Sequence, residues 1–292
     1  MALAPRTIAA YRADWSDFLR WCDAHAVSAI PAADDVVVAY VEDLAATLRA
    51  STVQRRVASI RNAHADAGFT AATDTSAIGA ALARARWYRR DSTTETTPIA
   101  VDELRAMSIS LPDSIAGVRD RALLLIGYGA ALRPSEIVHL DVGDLTIMRD
   151  ALGVATERGR VLVPYGSADE LCAVTAWMRW VARTGIAEGP AFRAVERRGQ
   201  LGRSAFGEKA VGRIIRRAAL AAGLDPTRYT GLSLRRGMIA TAGAHGASRE
   251  AIMRQTGHRS ERLVRRYLLA AESLRDTRRP PPEGETADHH SC

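Results

Sequence analysis

The sequence predicts a mainly α-helical protein with a small β-sheet, divided into two domains. Apolar residues recur at three- and four-residue spacing in most segments, which indicates helices with one buried face. β-like runs are found near 152–156 and 160–164. The chain has 292 residues, enough for two domains. A polar stretch without helical periodicity, residues 91–98, ends in proline and is the predicted interdomain linker.

The first predicted domain, residues 1–90, is helical. Candidate helices span 5–24, 35–49, 51–68 and 74–88. The third has the clearest signals, because Val53, Val57 and Ile60 line one face. Ser51 or Thr52 is the predicted N-cap of this helix and Gly68 the predicted stop.

Arginines are concentrated in this domain. Between residues 49 and 90 there are eight arginines and two acidic residues. Such an excess is typical of a surface that faces phosphates, although a merely solvated helix face has the same composition. Arg55, Arg56 and Arg61, on or beside the polar face of the third helix, are the predicted DNA contacts.

The second predicted domain, residues 99–275, combines helices with the small sheet. It begins with a helix in IAVDELRAM, and Pro134 opens a short helix after an apolar one. The remaining candidate helices span 116–132, 168–183, 206–222, 231–244, 248–256 and 260–272. The proline-rich, polar tail at 276–292 is predicted to be disordered.

Composition favours a polyanion partner. The net charge is +7 and the pI about 9.8, and a basic surface attracts phosphates through a sequence-independent term. Almost all of this charge is arginine, since Lys209 is the only lysine; codon bias in a GC-rich genome would produce the same excess. The longest apolar run falls short of the roughly 18 residues of a membrane span.

The N-terminal sequence and the cysteines indicate the cellular location. The N-terminus has no apolar stretch of signal-peptide length, so we expect a cytoplasmic protein with no membrane partner. Cys22, Cys172 and Cys292 are widely spaced and lack metal-ligand spacing. We therefore expect no disulfide, no metal and no cofactor.

Four residues in characteristic contexts carry the functional signal. They are Arg133 in GAALRPSEI, Arg235 in GLSLRRGMIAT, His258 in QTGHRS and Tyr267 in VRRYLL. Taken singly, three of them have a structural explanation: Arg133 as a turn arginine, His258 as a helix-terminal histidine and Tyr267 as a tyrosine on an amphipathic helix. In this order and at these separations they resemble the catalytic domain of the tyrosine recombinases, the phage integrase family, over about residues 98–275. The first domain resembles the core-binding domain of that family.

The resemblance implies a chemistry that suits these residue types. Two guanidiniums grip the nonbridging oxygens of a DNA phosphate and stabilise the charge that gathers there in the transition state. By resemblance these are Arg133 and Arg235, and His258 hydrogen-bonds a nonbridging oxygen. Tyr267 is the implied nucleophile, which forms a covalent 3′-phosphotyrosine and frees a 5′-hydroxyl. Rejoining then needs neither ATP nor a metal.

Further residues have supporting roles. The resemblance implies that an acid at Glu136 helps to orient the site. Arg236, beside the second arginine, is a predicted DNA contact.

Two positions depart from the family pattern. The family usually has a histidine three residues before the second arginine, where this chain has Leu232. The family also places a lysine on a β-hairpin between the two arginines as the acid for the leaving hydroxyl. Residues 150–165 contain no lysine, and Arg158 and Arg160 are the nearest cations, although arginine scarcely releases a proton. Three explanations stay open: a recombinase using these arginines and water, a degenerate relative that binds DNA, or a chain whose histidine was replaced deliberately.

The leading hypothesis is a site-specific DNA recombinase. It implies double-stranded DNA with inverted half-sites, a homodimer on each site, a homotetramer in the synaptic complex, and a nucleoid-associated cytoplasmic location. The alternatives are a catalytically impaired relative that acts as a DNA-binding protein, and a helical transcription regulator with an accidental resemblance. The regulator predicts that the four residues share no pocket.

Overall fold

The computed structural model describes residues 5–69, 75–88, 96–196, 199–258, 260–262, 264–265 and 267–269. The chain divides into two compact units, residues 1–94 and 95–292. The predicted tail at 276–292 and residues 91–95 of the predicted linker lie outside the described residues. Among the helices that are described, none has both the length and the apolar composition needed to cross a bilayer.

Unit 1 is helical, and its helices form because each has an apolar face. Their bounds are α1 Pro5–Ala24, α2 Asp34–Thr47, α3 Ala50–Asp66 and α4 Ser76–Tyr88. The core is formed by buried side chains from all four, including Phe18, Tyr40, Val57, Ile60 and Ile78.

The start of α3 differs from the prediction. Neither Ser51 nor Thr52 is the N-cap; Arg49 is, and its carbonyl accepts from the backbone N–H groups of Thr52 and Val53 at 2.9 and 3.1 Å. No side chain caps this end. The packing of Val53 and Val57 in the core therefore sets where the helix begins, since a cap is worth only about 1 kcal/mol.

Unit 2 has a mainly helical architecture with small antiparallel sheets, which confirms the predicted fold class. Its helices are α5 Val101–Ser110, α6 Ile115–Gly129, α7 Pro134–His139, α8 Ala173–Thr184, α9 Glu208–Ala221, α10 Ser233–Ala244 and α11 Arg249–Thr256. Its strands are β1 Leu145–Ile147, β2 Ala151–Thr156, β3 Gly159–Pro164, β4 Arg193–Val195 and β5 Leu201–Ala205. Short 3₁₀ turns span Val142–Asp144, Asp169–Leu171 and Pro226–Arg228.

The two predicted β-like runs are β2 and β3, which pair as an antiparallel hairpin with Thr156 opposite Gly159. β1 pairs on the other side of β2, so the sheet order is β1-β2-β3. β4 and β5 form a separate two-stranded sheet that the sequence analysis missed. The β2–β3 hairpin matters for the site because its turn carries Arg158.

The main core of unit 2 surrounds α6, whose residues 122–127 are all buried. A second, smaller cluster is formed by described residues nearer the C-terminus. Ile239, Ile252 and Val264 form a small apolar cluster, against which Tyr267 and Leu268 pack. Residues 261–262, 264–265 and 267–269 have helical backbone and are called the Tyr267 segment below.

Candidate active site

The first site arginine stands at the start of α7. Arg133 is the N-cap residue, followed by Pro134 at the first helical position, where proline is favoured. The carboxylate of Glu136 accepts from the backbone N–H of Arg133 at 2.6 Å and from its Nη1 at 3.1 Å. The side chain of Arg133 remains 47% exposed. Glu136 therefore fixes the backbone of Arg133, while the guanidinium of Arg133 remains accessible to solvent.

The second arginine is buried beside the first. Arg235 is 4% exposed and comes from α10. Its Nη1 donates to the carbonyl of Ala131 at 2.7 Å and its Nη2 to the carbonyl of Thr256 at 2.5 Å. Ala131 has a left-handed backbone conformation with φ of 50°, unusual for a residue with a Cβ and frequent at functional sites. The turn after α6 thus supplies an acceptor that holds Arg235.

A third guanidinium joins this pair from the β2–β3 hairpin. Arg158 donates from Nη1 to Glu136 at 2.7 Å and from Nη2 to the carbonyl of Ala130 at 2.8 Å. Its stem packs on Gly257, where a Cβ would lie 2.6 Å from Cδ of Arg158. Arg158 was, with Arg160, one of the two arginines predicted as possible substitutes for the hairpin lysine. The contacts of Arg158 are those of a fixed cation, since both terminal nitrogens are engaged.

Arg160 has a different position. It lies exposed on β3, with its Cδ beside Gly153. It makes no hydrogen bond or ion pair with the described members of the arginine cluster.

His258 completes the polar lining. Oγ1 of Thr256 donates to the carbonyl of Ile252 at 2.7 Å and lies 2.6 Å from Nδ1 of His258. Because that hydroxyl proton is already used, the geometry assigns the imidazole proton to Nδ1. Nη2 of Arg235 lies 3.3 Å from Nε2 and 3.5 Å from Nδ1, and with the proton on Nδ1 only Nε2 can accept from it.

The clustered charges alter the proton affinities of this site. Burial, and then the positive charges of Arg133 and Arg158, lower the pKa of Arg235 to about 10, so it stays protonated at neutral pH. Burial, and then the guanidiniums of Arg235, Arg133 and Arg158, lower the pKa of His258 to about 4. The imidazole is therefore neutral at pH 7.

The candidate nucleophile lies next to this histidine. Tyr267 is partly buried, and its ring centroid is 5.7 Å from that of His258 in an edge-on arrangement. On another side, Cζ of Arg236 lies 5.0 Å from the centre of the Tyr267 ring. Arg236, which the sequence analysis assigned to DNA, also donates to the carbonyl of Thr96 at 2.7 Å. Its side chain is thus engaged within unit 2.

The position of the family histidine is solvent-facing. Leu232 is 40% exposed and is the N-cap residue of α10, without a side-chain cap. Its neighbour Gly231 lines a cleft of about 460 Å³ together with Pro134, the residue after Arg133. The cleft is also lined by Glu208, Lys209, Gly212, Arg213 and Arg216 of α9. The sequence did not lead us to predict that Lys209, Arg213 and Arg216 form one basic face, although their spacing of four and three residues marks one side of a helix.

The three predicted DNA contacts of unit 1 differ in their partners and in their exposure to solvent. Arg55 is 3.2 Å from the buried carboxylate of Asp14. Arg56 is paired with Asp17 and donates to the hydroxyl of Tyr40 at 3.0 Å, leaving its side chain 17% exposed. Arg61 is exposed. Arg56 therefore has a structural role within the helical unit, and its contact with DNA stays a prediction.

The arrangement in unit 2 is suited to phosphoryl transfer. Arg133, Arg158 and Arg235 surround one carboxylate, and a phenol lies beside the adjoining imidazole. Guanidiniums bind phosphate oxygens in a bidentate way, and a phenol oxygen is a nucleophile once its proton is removed. Within the described part of the chain, no group of three or more metal-ligating side chains is present.

Comparisons with known proteins identify the family. The phage integrase family matches residues 99–273. An integrase/recombinase xerD homolog of Selenomonas ruminantium is 35% identical over 286 residues, which cover 94% of this chain and 84% of that protein.

Solved structures have the same fold at low sequence identity. A lambda integrase (75–356) dimer bound to a COC′ core site has a TM-score of 0.62 and 16% identity, covering 98% of this chain and 94% of that one. A lambda integrase tetramer bound to a Holliday junction has a TM-score of 0.60 and 15% identity, covering 97% of this chain and 76% of that one. With the family match over residues 99–273, the chain belongs to the phage integrase family, the tyrosine recombinases.

Proposed function

We propose that this protein is a site-specific DNA recombinase that cuts and rejoins DNA strands through a 3′-phosphotyrosine at Tyr267. One observation carries the proposal: the phenol ring lies 5.7 Å from the ring of His258, which itself contacts the buried guanidinium of Arg235. A nucleophile is thereby next to a site built for an anion. Membership of the tyrosine recombinase family supports the same activity.

In the proposed reaction, Arg133 and Arg235 bind the nonbridging oxygens of one DNA phosphate. The phenol of Tyr267 loses its proton to solvent and its oxygen attacks phosphorus, the bond to the 5′-oxygen breaks, and that oxygen takes up a proton from solvent as it leaves. The phosphotyrosine keeps the bond energy, so the 5′-hydroxyl of another strand reverses the step without ATP. The buried guanidinium is fixed by two carbonyls before DNA arrives, which reduces reorganisation during the reaction.

His258 is proposed to contact a nonbridging oxygen through Nε2. In the DNA-free protein this nitrogen accepts from Arg235. A DNA phosphate would attract the guanidinium and favour a protonated Nε2, so contact with the phosphate requires the histidine to bind a proton or to change tautomer.

DNA is proposed to contact several basic surfaces. In unit 2 the cleft lined by Lys209, Arg213 and Arg216 adjoins Pro134 and so continues from Arg133. In unit 1 the proposed contacts are Arg55, Arg56 and Arg61. Inverted half-sites, with a dimer on each site and a tetramer during strand exchange, form the proposed assembly. It is supported by the lambda integrase dimer and tetramer that share the fold, and it operates in the cytoplasm, on the nucleoid.

A second function, DNA binding without strand cleavage, is favoured by the two departures from the family pattern. Leu232 offers no proton, and Arg158 has both terminal nitrogens engaged with Glu136 and Ala130. Loss of a general acid or base costs roughly 10²–10⁴-fold in rate. This alternative predicts specific binding and no covalent intermediate.

The decisive experiment traps the covalent intermediate. The protein is incubated with a library of nicked duplexes of randomised sequence, and DNA that stays attached under denaturing conditions is recovered and sequenced. We expect adducts enriched in one inverted repeat, with the 3′ phosphate on the peptide that contains residue 267. Tyr267→Phe should form no adduct while it retains non-covalent binding.

Two outcomes oppose the proposal in different ways. Equal adduct formation by Tyr267→Phe would remove the assigned nucleophile. Selective DNA binding by the unaltered protein without any adduct, over long incubation, would establish the binding function instead.

A further inference from the structure

Adjacent arginines on α10 have different partners. Arg235 contacts carbonyls of the site, whereas Arg236 follows it by one residue, a rotation of about 100° around the helix. Arg236 donates from Nη1 to the carbonyl of Thr96 at 2.7 Å. Its Cζ lies 5.0 Å from the centre of the Tyr267 ring, within the roughly 6 Å of a cation–π contact.

The carbonyl that holds Arg236 is itself fixed. Residues 96–99 run along the segment that leads into α10. The N–H of Thr97 donates to the carbonyl of Arg228, and the N–H of Ile99 donates to the carbonyl of Ser233, each at 3.2 Å. The hydroxyl of Thr230 donates to that of Thr96 at 3.3 Å. Arg236 is therefore anchored at one end before it reaches the tyrosine.

A close backbone approach supports the same anchor. At Gly237, the residue after Arg236, a Cβ would lie 2.2 Å from the carbonyl oxygen of Ile99. Only glycine lets the 96–99 segment pass this close to α10. The sequence of α10 thus brings the carbonyl of Thr96 within reach of the guanidinium.

Among the described residues, an apolar cluster and the ring of His258 also contact Tyr267. The Tyr267 segment packs on a small cluster whose buried members are Ile239, Ile252 and Val264. The ring of His258 approaches at 60° to the tyrosine ring, with 5.7 Å between the centroids. The guanidinium of Arg236, with its Cζ 5.0 Å from the ring centre and its Nη1 bound to the carbonyl of Thr96, is therefore placed to orient the phenol.

We propose that Arg236 is a positioning residue for the nucleophile: anchored on the carbonyl of Thr96, it holds the Tyr267 ring beside His258. It acts through Tyr267 and does not bind DNA. The proposal rests on the proposed function only for its effect on rate. The contact itself is a property of the DNA-free protein.

The first test measures the ring directly, without any DNA chemistry. The full chain is labelled with 3-fluorotyrosine, and the ¹⁹F resonance of Tyr267 is identified by its loss in Tyr267→Phe. Arg236→Met keeps the length of the stem and removes the charge, so the resonance should shift and broaden. Arg236→Lys should restore part of the shift, since an ammonium also binds an aromatic face. Arg105→Gln, which removes an exposed cation of α5, is the matched control and should leave the resonance unchanged.

The second test uses the nicked-duplex library and separates adduct formation from binding. Arg236→Met should slow adduct formation about tenfold, the size expected for one partly desolvated cation–π contact, with Arg236→Lys in between. Non-covalent affinity and its salt dependence should match those of Arg105→Gln. A DNA phosphate contact would instead reduce the salt slope by about 1.

The outcomes distinguish this inference from the proposed function. An unchanged Tyr267 resonance in Arg236→Met, or a weaker salt slope with normal adduct formation per bound duplex, would overturn the positioning role. A shifted resonance in a protein that never forms adducts would support the contact and refute the recombinase.

Discussion

Glu136 is the only carboxylate among the described site residues that contacts all three clustered guanidiniums, and its replacement is the sharpest test of the site. Glu136→Gln keeps the size of the side chain and removes its charge. Arg133, Arg158 and Arg235 would then face each other without a counter-charge. The variant should therefore be less stable as free protein, and anions should restore more of its stability than they add to the wild type.

The magnitude follows from the contacts. The carboxylate accepts at 2.6 Å from the backbone of Arg133 and at 2.7 Å from Arg158, and it is 15% exposed. Removing one partner of a buried ion pair costs about 3–5 kcal/mol. Arg133 is 47% exposed, so solvent screens its share, and a glutamine oxygen still accepts one hydrogen bond. We expect unit 2 to lose about 3 kcal/mol.

Hydrogen–deuterium exchange of peptides from the buried helix α6 measures the opening free energy of this unit alone. The experiment is run with and without inorganic phosphate at constant ionic strength. Phosphate should raise the stability of Glu136→Gln more than that of the wild type, because it binds between uncompensated guanidiniums. Glu157→Gln, an exposed acid in the turn of the β2–β3 hairpin, is the matched control.

The reasoning fails if the two variants lose equal stability. It also fails if phosphate stabilises the wild type and Glu136→Gln to the same extent, since the guanidiniums would then not depend on the carboxylate.

Two further predictions concern other parts of the molecule. Arg56→Gln should lower stability by about 3 kcal/mol because it leaves Asp14 and Asp17 without this cation, and urea unfolding would measure the loss; unchanged stability would contradict the structural role of Arg56. Arg61→Gln should reduce the salt slope of DNA binding by about 1, as binding titrations in varied salt would measure, and an unchanged slope would remove Arg61 from the proposed DNA contacts. For His258, the folded pKa of about 4 lies below the usual value near 6.5, so the stability that the neutral imidazole contributes is fully present above pH 6.5 and is lost as pH falls toward 4. His258→Asn should flatten the stability profile between these pH values, and an unchanged profile would contradict the buried, neutral histidine.

The sequence predicted most helices because amphipathic periodicity is a local property. It missed β4 and β5, which have only three and five residues, contain no fully buried residue and show no period-two apolar face. It placed the N-cap of α3 at Ser51 or Thr52, because serine and threonine are favoured at N-cap positions. The core contacts of Val53 and Val57 come from other helices and could not be read from this segment.

The site was predictable only in part. The order and context of Arg133, Arg235, His258 and Tyr267 identified the candidates without showing what fixes them. The carbonyls of Ala131 and Thr256, which hold Arg235, come from residues 104 and 21 positions away, and backbone acceptors leave no side-chain signal. Likewise, Arg235 and Arg236 are neighbours in sequence, and only the packing around α10 separates their partners.

In the proposed reaction, the charge balance of the site gives the hairpin arginine Arg158 an electrostatic role at the position where the family has a lysine. Three guanidiniums, one carboxylate and a neutral imidazole give the described site a net charge of +2, that is 3 − 1. A phosphodiester carries about one negative charge, and more charge gathers on its oxygens in the pentavalent transition state. An excess of two positive charges therefore stabilises the transition state more than it stabilises the bound DNA before reaction. This difference is the condition for catalysis. Arg158 contributes to this excess while it keeps its proton. Its role is then electrostatic, and the proton for the leaving 5′-oxygen must come from another group or from water.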